Sequence, residues 1–216
     1  MDSIPLSFQL IIFFFAVVFH EFSHGWVAMK CGDDTAKNMG RLTLNPISHV
    51  DIIGTILFPL FLIVSNSRFI FGWAKPVPIN PYRFNNPAKD TMKVSLAGPL
   101  SNVLLAVLSA FAVWIMQLLN VPINMASITC INLLRYNAVI NLMLAVFNLI
   151  PVPPLDGGRI LEGLLPYRVA FSFRRIEPFG FVIVILLLSS GILWNVIIPI
   201  VHFLYNLLFW GVERGF

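Results

Sequence analysis

Residues 20–24 read His20-Glu21-Phe22-Ser23-His24. In a helix, positions four apart lie on one face, so both imidazoles can reach one metal ion. Glu21 then sits about 100° round the axis from His20, close enough to act as a base on water at that metal. This is the chemistry of zinc proteases, where imidazole and carboxylate ligands leave one position open for water. Three ionisable groups in one turn of an apolar helix are expensive and demand a function or a partner. Two other uses of the cluster stay open at this point, a proton relay and a hydrogen-bonded helix–helix contact.

A catalytic zinc needs a third protein ligand. His49 falls in a loop and His202 in the last apolar segment, and a lone histidine in such places is more often interfacial or packed than ligating. Asp156 is the better candidate. It follows Asn148-Leu149-Ile150-Pro151-Val152-Pro153-Pro154-Leu155 and precedes Gly157-Gly158. The prolines end a helix and the glycines let the chain turn sharply behind the carboxylate. Irregular backbone near membrane depth is tolerated where it lines an enclosed or wet cavity. The competing use of Asp156 is as a cap for a helix starting near Arg159.

These residues must be held by membrane helices. Of 216 residues, 58% are hydrophobic and 11% charged, against about 25% charged in a soluble domain. Mean hydropathy is +0.85. Such a chain cannot coat a globule in water, which excludes a soluble enzyme, a disordered tail and a nucleic-acid binder. The net charge of +4 is what a few cytosolic Lys and Arg give to an apolar chain. Cys31 and Cys130 have no motif spacing and are expected as free thiols. The N-terminal stretch lacks a basic flank and a small-residue cleavage site, so it is expected to stay in the protein.

Five apolar segments are expected: Ser7–Met29, Val50–Ser65, Val94–Leu119, Leu133–Ile150 and Phe179–Gly211. The last would measure roughly 50 Å as one helix, against a hydrocarbon core of about 30 Å. Gly191 and Pro199 are expected to break it into a helical hairpin or a bent helix. Basic residues crowd the loops 30–51, 66–93 and 151–178, and none lies in 120–132. If Val50–Ser65, roughly 24 Å as a helix, is re-entrant, all three basic loops share one side, as the positive-inside rule prefers. The expected topology has the N-terminus outside, basic loops in the cytosol and Arg214 also inside. The expected fold is thus an all-α polytopic membrane protein of about five or six hydrophobic segments, the second of them re-entrant or half-inserted. It is one domain over 1–216, with a core of about 7–165 and no room for a second soluble domain. Met39–Pro46 and Trp73–Pro81 are extended, proline-marked stretches. Two forms are open to them, a short β-hairpin with a free edge for another strand, or irregular loop.

HEFSHGW at 20–26 together with NLIPVPPLDGG at 148–158 resembles the site-2 protease family of intramembrane metalloproteases. GRLTLNP at 40–46, GWAKPVPINP at 72–81 and AGPLSN at 97–102 agree in order along the chain, which is closest to small members without a PDZ insertion. Val50-Asp51-Ile52 departs from the pattern, where proline would follow the aspartate. The resemblance implies one zinc ion held by His20, His24 and Asp156, with Glu21 as general base. It implies that Asn148 assists the substrate carbonyl and that the two extended stretches form short membrane-associated β-strands near the substrate path. Single-span membrane proteins would be cut within the cell membrane, in regulated intramembrane proteolysis, with the active site in the cytosolic half. Asn102, in the AGPLSN block, is read as helix-packing glue, and Asn141 as packing or solvation. The rival function is a metal or proton transporter using the same cluster, which calls for a second polar cluster along a through-path. The other rival is a non-catalytic binding protein, which calls for a missing ligand or base.

Overall fold

The computed structural model describes residues 4–65 and 72–212, and among these the chain is helical with no β-strand. Arg68, in the basic loop 66–93, and Arg214, expected on the same side, lie outside the described residues. The first helix, α1, runs Leu6–Lys30. It starts behind Pro5, whose missing N–H costs nothing at a helix entry. A single turn, α2 (Thr35–Asn38), follows. The second apolar segment opens as a π-helical stretch, Ile52–Leu57, and continues as α3 (Phe58–Val64). Two long helices come next, α4 (Pro87–Leu118) and α5 (Met125–Asn148). The chain closes with α6 (Asp156–Leu164), α7 (Tyr167–Arg174), α8 (Glu177–Ser189) and α9 (Ile192–Leu208).

Three helices, α1, α4 and α5, are long and apolar enough to cross a membrane. The pair α8 and α9 adds a fourth if taken as one broken span. Ile52–Val64 is shorter, about 20 Å along its axis. The long helices begin earlier than hydropathy suggests because polar caps set their starts. Asn86 accepts from the Lys89 amide to open α4, and Asn124 and Ser127 form a capping box for α5.

α4 is the central helix and packs against α1, α5 and α6. Ala106, Ala110 and Ala138 are buried at the α4–α5 contact, with Leu193, Ile197 and Val201 of α9 beside them. Small residues let two backbones approach, which is what drives helix association where lipid is as apolar as protein. The outward row of α4, including Leu100, Leu104, Leu108 and Phe111, is exposed, as a lipid-facing stripe must be. Both cysteines are free thiols. Burial pushes the Cys31 thiol up, and the Asp90 carboxylate adds to it.

Two expectations are corrected. The last segment breaks at Gly191, in the left-handed region at φ +80°, and not at Pro199, which stays inside α9. The two halves meet at 75°, which is the bent helix of the two forms expected. The extended stretches do not form strands. In Trp73–Asn80 the backbone donors alternate to unlike partners: Trp73 N to Gly54 O at 3.1 Å, Lys75 N to His49 O at 2.9 Å and Val77 N to Glu21 Oε2 at 2.8 Å. Pro76 and Pro78 have no N–H to offer, so no ladder can propagate. The two stretches meet through side chains instead. Arg41 Nη2 donates to the carbonyls of Lys75 and Pro76 at 3.0 and 3.2 Å, and His49 Nε2 donates to Thr43 O at 2.9 Å.

Gly180 of α8 packs against the Pro153 carbonyl so closely that no Cβ fits. Gly180→Val is expected to cost about 1–3 kcal/mol of stability. Thermal unfolding in detergent micelles, compared with the wild-type protein, measures it.

Candidate metal centre

His20 and His24 lie on the buried face of α1, and Asp156 is the first residue of α6. α6 packs on α4, and α4 on α1, which brings residues 132 or more positions apart into contact. His20 Nε2 is 3.0 Å from His24 Nε2, and Asp156 Oδ2 is 3.1 and 3.2 Å from them. All three residues are buried to nine-tenths or more. The capping use of Asp156 does not occur, since its side chain caps no backbone group.

The outer nitrogens settle which ring atoms carry hydrogen. His24 Nδ1 lies 2.7 Å from the Val94 carbonyl, which can only accept, so Nδ1 donates. Asn102 spends its amide hydrogens on Ala16 O at 3.1 Å and Asn141 Oδ1 at 2.8 Å. Its oxygen, 2.6 Å from His20 Nδ1, therefore accepts from that ring. Both Nε2 atoms then face inward with lone pairs, opposite a carboxylate oxygen that receives no hydrogen bond. Three acceptors at such distances repel unless a cation sits among them. A tetrahedral ion with ligands at about 2.0–2.1 Å sets ligand atoms about 3.3 Å apart, so the triangle fits one. Among the described residues no other cluster of His, Cys, Asp and Glu could hold a metal.

Glycines make the approach possible. A Cβ on Gly98 would lie 2.6 Å from His20 Nε2 and closer still to His24 Nε2. Cβ atoms on Gly157 or Gly158 would strike the backbone of residues 149–153, so the loop behind Asp156 closes only without side chains. Pro99 sits inside α4 five residues after Val94. Its missing N–H loosens the helical ladder beside the carbonyl that His24 uses.

His20 and Glu21 line a cavity of about 880 Å³. Phe13, Phe14 and Val17 of α1, Leu144 and Phe147 of α5, and Phe181 of α8 make its walls largely apolar. Asn148 lines the same cavity. Its amide back-bonds to Leu144 O at 3.0 Å and keeps a second hydrogen to donate. Trp73 closes one side, 5.4 Å from Phe58 and 5.6 Å from Phe181 between ring centres. Glu21 receives the Val77 amide, which holds its carboxylate against the wall. His49 and His202 are elsewhere: His49 is a buried brace between loops, and His202 is exposed on α9.

Sequence reasoning missed the place of Asn102 and Asn141. Asn102 is bonded to His20 itself, and Asn141 to Asn102. Both are fully buried. The available signal was polar residues at helical spacing in apolar helices, Asn102 with Ser109 and Asn137 with Asn141.

Gly98→Ala is expected to displace the imidazoles and lower zinc affinity by about tenfold or more, as lost ligand orientation does. Zinc content after dialysis against graded chelator checks it, with circular dichroism to show that the helices persist.

Residues 8–191 match the family model of Peptidase family M50. YwhC of Bacillus subtilis (strain 168), named as a zinc metalloprotease, is 40% identical over 200 residues, covering 88% of this chain and 87% of its own. The zinc metalloprotease MJ0392 of Methanocaldococcus jannaschii is 26% identical over 215 residues, 99% of this chain and 50% of its own. Among solved structures, a site-2 protease from Methanocaldococcus jannaschii aligns at 22% identity with a TM-score of 0.48, covering 100% of this chain and 80% of that one. A family model that runs over most of the chain, and a relative matched along nearly its whole length, assign the helices around the His–His–Asp triangle to a member of peptidase family M50.

Proposed function

We propose that this protein is an intramembrane zinc endopeptidase that cuts single-span membrane proteins within the bilayer. The observation that carries the reading is the convergence of His20, His24 and Asp156 within 3.2 Å, beside Glu21 on the wall of an apolar cavity. His20, His24 and Asp156 would hold the zinc ion. Zinc bound there would supply Lewis acidity and lower the pKa of water toward neutrality. Glu21 takes the proton from the attacking water and returns it to the leaving amine. Asn148 donates to the oxygen of the scissile carbonyl as it gains charge. The Val77 amide keeps the Glu21 carboxylate from turning away from this position. The apolar walls exclude bulk water and accommodate apolar stretches of substrate.

The chain acts as one domain, multi-pass in the cell membrane. His20 lies about 21 Å along α1 from Leu6, and Asp156 follows the end of α5. With the N-terminus outside and the basic loops inside, both motifs fall in the cytosolic half of the bilayer, and water enters from the cytosol. A transporter would need a second polar cluster along a path. Among the described residues the only metal-competent cluster is the one at His20, and the family is one of peptidases.

Glu21→Gln is expected to keep zinc and lose cleavage of a single-span substrate in proteoliposomes, by about 10²-fold or more. Cleavage at the wild-type rate sinks the mechanism, and metal flux through the vesicles would favour transport. Chelation should abolish cleavage and added zinc restore it. Val77→Pro deletes one amide between two prolines. It is expected to lower kcat about tenfold, the worth of a hydrogen bond to a charged group, with KM and zinc content unchanged. Val77→Ala, which keeps the amide, should retain most of kcat.

A further inference from the structure

Asn102 does not end the polar contacts of His20. Its amide donates to Asn141 Oδ1 at 2.8 Å. The Asn141 amide donates to Asn137 Oδ1 at 3.0 Å, the Asn137 amide to Ser109 Oγ at 2.7 Å, and the Ser109 hydroxyl to Leu105 O at 2.8 Å. Five side chains from α1, α4 and α5 thus form one unbroken string through the middle of the helix packing. Asn102 and Asn141 are wholly buried, and Ser109 nearly so.

The direction of every link is fixed. Backbone carbonyls can only accept, and three of them anchor the string. Ala16 O takes an Asn102 hydrogen, Asn137 O takes an Asn141 hydrogen, and Leu105 O takes the Ser109 hydroxyl. Each amide therefore points its oxygen toward His20 and its nitrogen away. The dipoles add, and bonds in such a row polarise one another. Carboxamides hold their hydrogens, so the row is an electrostatic element and not a proton wire. His24 has no counterpart, since its Nδ1 meets one backbone carbonyl.

We infer that the Asn102–Asn141–Asn137–Ser109 string is a positioning element of the zinc site, which rests on the peptidase reading above. It fixes the His20 ring with Nδ1–H outward and draws on that hydrogen, so that Nε2 becomes a stronger donor to the metal. A hydrogen-bond partner on the outer nitrogen is what orients a ligating imidazole and raises its basicity. Here that partner is extended across two further helices, α4 and α5, so binding strength at His20 depends on residues that touch neither metal nor substrate.

The test uses the full-length protein in detergent, loaded with zinc or with cobalt(II) as a spectroscopic probe. Asn141→Ala should weaken zinc binding about tenfold and shift the visible cobalt bands. Ser109→Ala, at the far end, should do the same to a smaller degree, about two- to threefold. Ser109→Thr keeps the hydroxyl and should restore wild-type affinity and bands. If Asn141→Ala does not fold, the Ser109 pair carries the test alone. Wild-type zinc affinity and cobalt bands in Ser109→Ala, with only the melting temperature lowered, would reduce the string to helix glue and overturn the inference. Such a result would leave the peptidase reading intact, because that stands or falls with Glu21→Gln.

Discussion

Two imidazole nitrogens and a carboxylate oxygen face each other at 3.0–3.2 Å in the interior of a membrane protein. All three residues are buried to nine-tenths or more, and an uncompensated polar group in such a medium costs several kcal/mol. Both outer nitrogens donate a hydrogen, to Asn102 and to Val94, so both Nε2 atoms face inward with lone pairs. A cation is the partner that satisfies all three atoms together. Much of the surrounding structure exists to hold this arrangement. Gly98 gives up its side chain to the two rings, Gly157 and Gly158 let the chain fold behind Asp156, and α4 supplies the acceptors on the far side.

The second constraint concerns hydrogen bonds made by backbone outside helices. The segment 72–80 is extended beside the cavity, where unpaired amides are costly. Its sequence answers this by alternating donors and prolines. The amides of Trp73, Lys75 and Val77 all have partners, and positions 76 and 78 have none to place. One of those partners is Glu21, so the loop that borders the substrate space also sets the aim of the proposed base. Structure and chemistry are joined there by a single amide.

A bilayer also explains why polar side chains occur in rows. A lone asparagine in an apolar helix must find a partner on a neighbouring helix, and that partner needs another. The row ends when a hydroxyl reaches a free carbonyl, as Ser109 does at Leu105. Here the row happens to start on a proposed metal ligand, which turns a packing requirement into an influence on the site.

The sequence alone determined the chemistry and most of the helices. Histidines four apart lie on one helix face whatever surrounds them, and a chain with 11% charged residues makes Glu21 and Asp156 conspicuous. The prolines and glycines around Asp156 marked irregular backbone, because their dihedral limits are local. Helix starts were less legible: hydropathy begins α4 near Val94, whereas the Asn86 cap begins it at Pro87. Only the tertiary structure decided the rest. Whether Trp73–Asn80 pairs as a strand depends on which acceptors lie beside it. The last segment breaks at Gly191, at φ +80°, while Pro199 is carried inside α9. That Asn102 bonds His20 and Asn141 bonds Asn102 follows from three helices meeting at one depth. Contacts between residues 39 and 82 positions apart leave no periodicity within any one helix, so no reading of the chain in one dimension contains them.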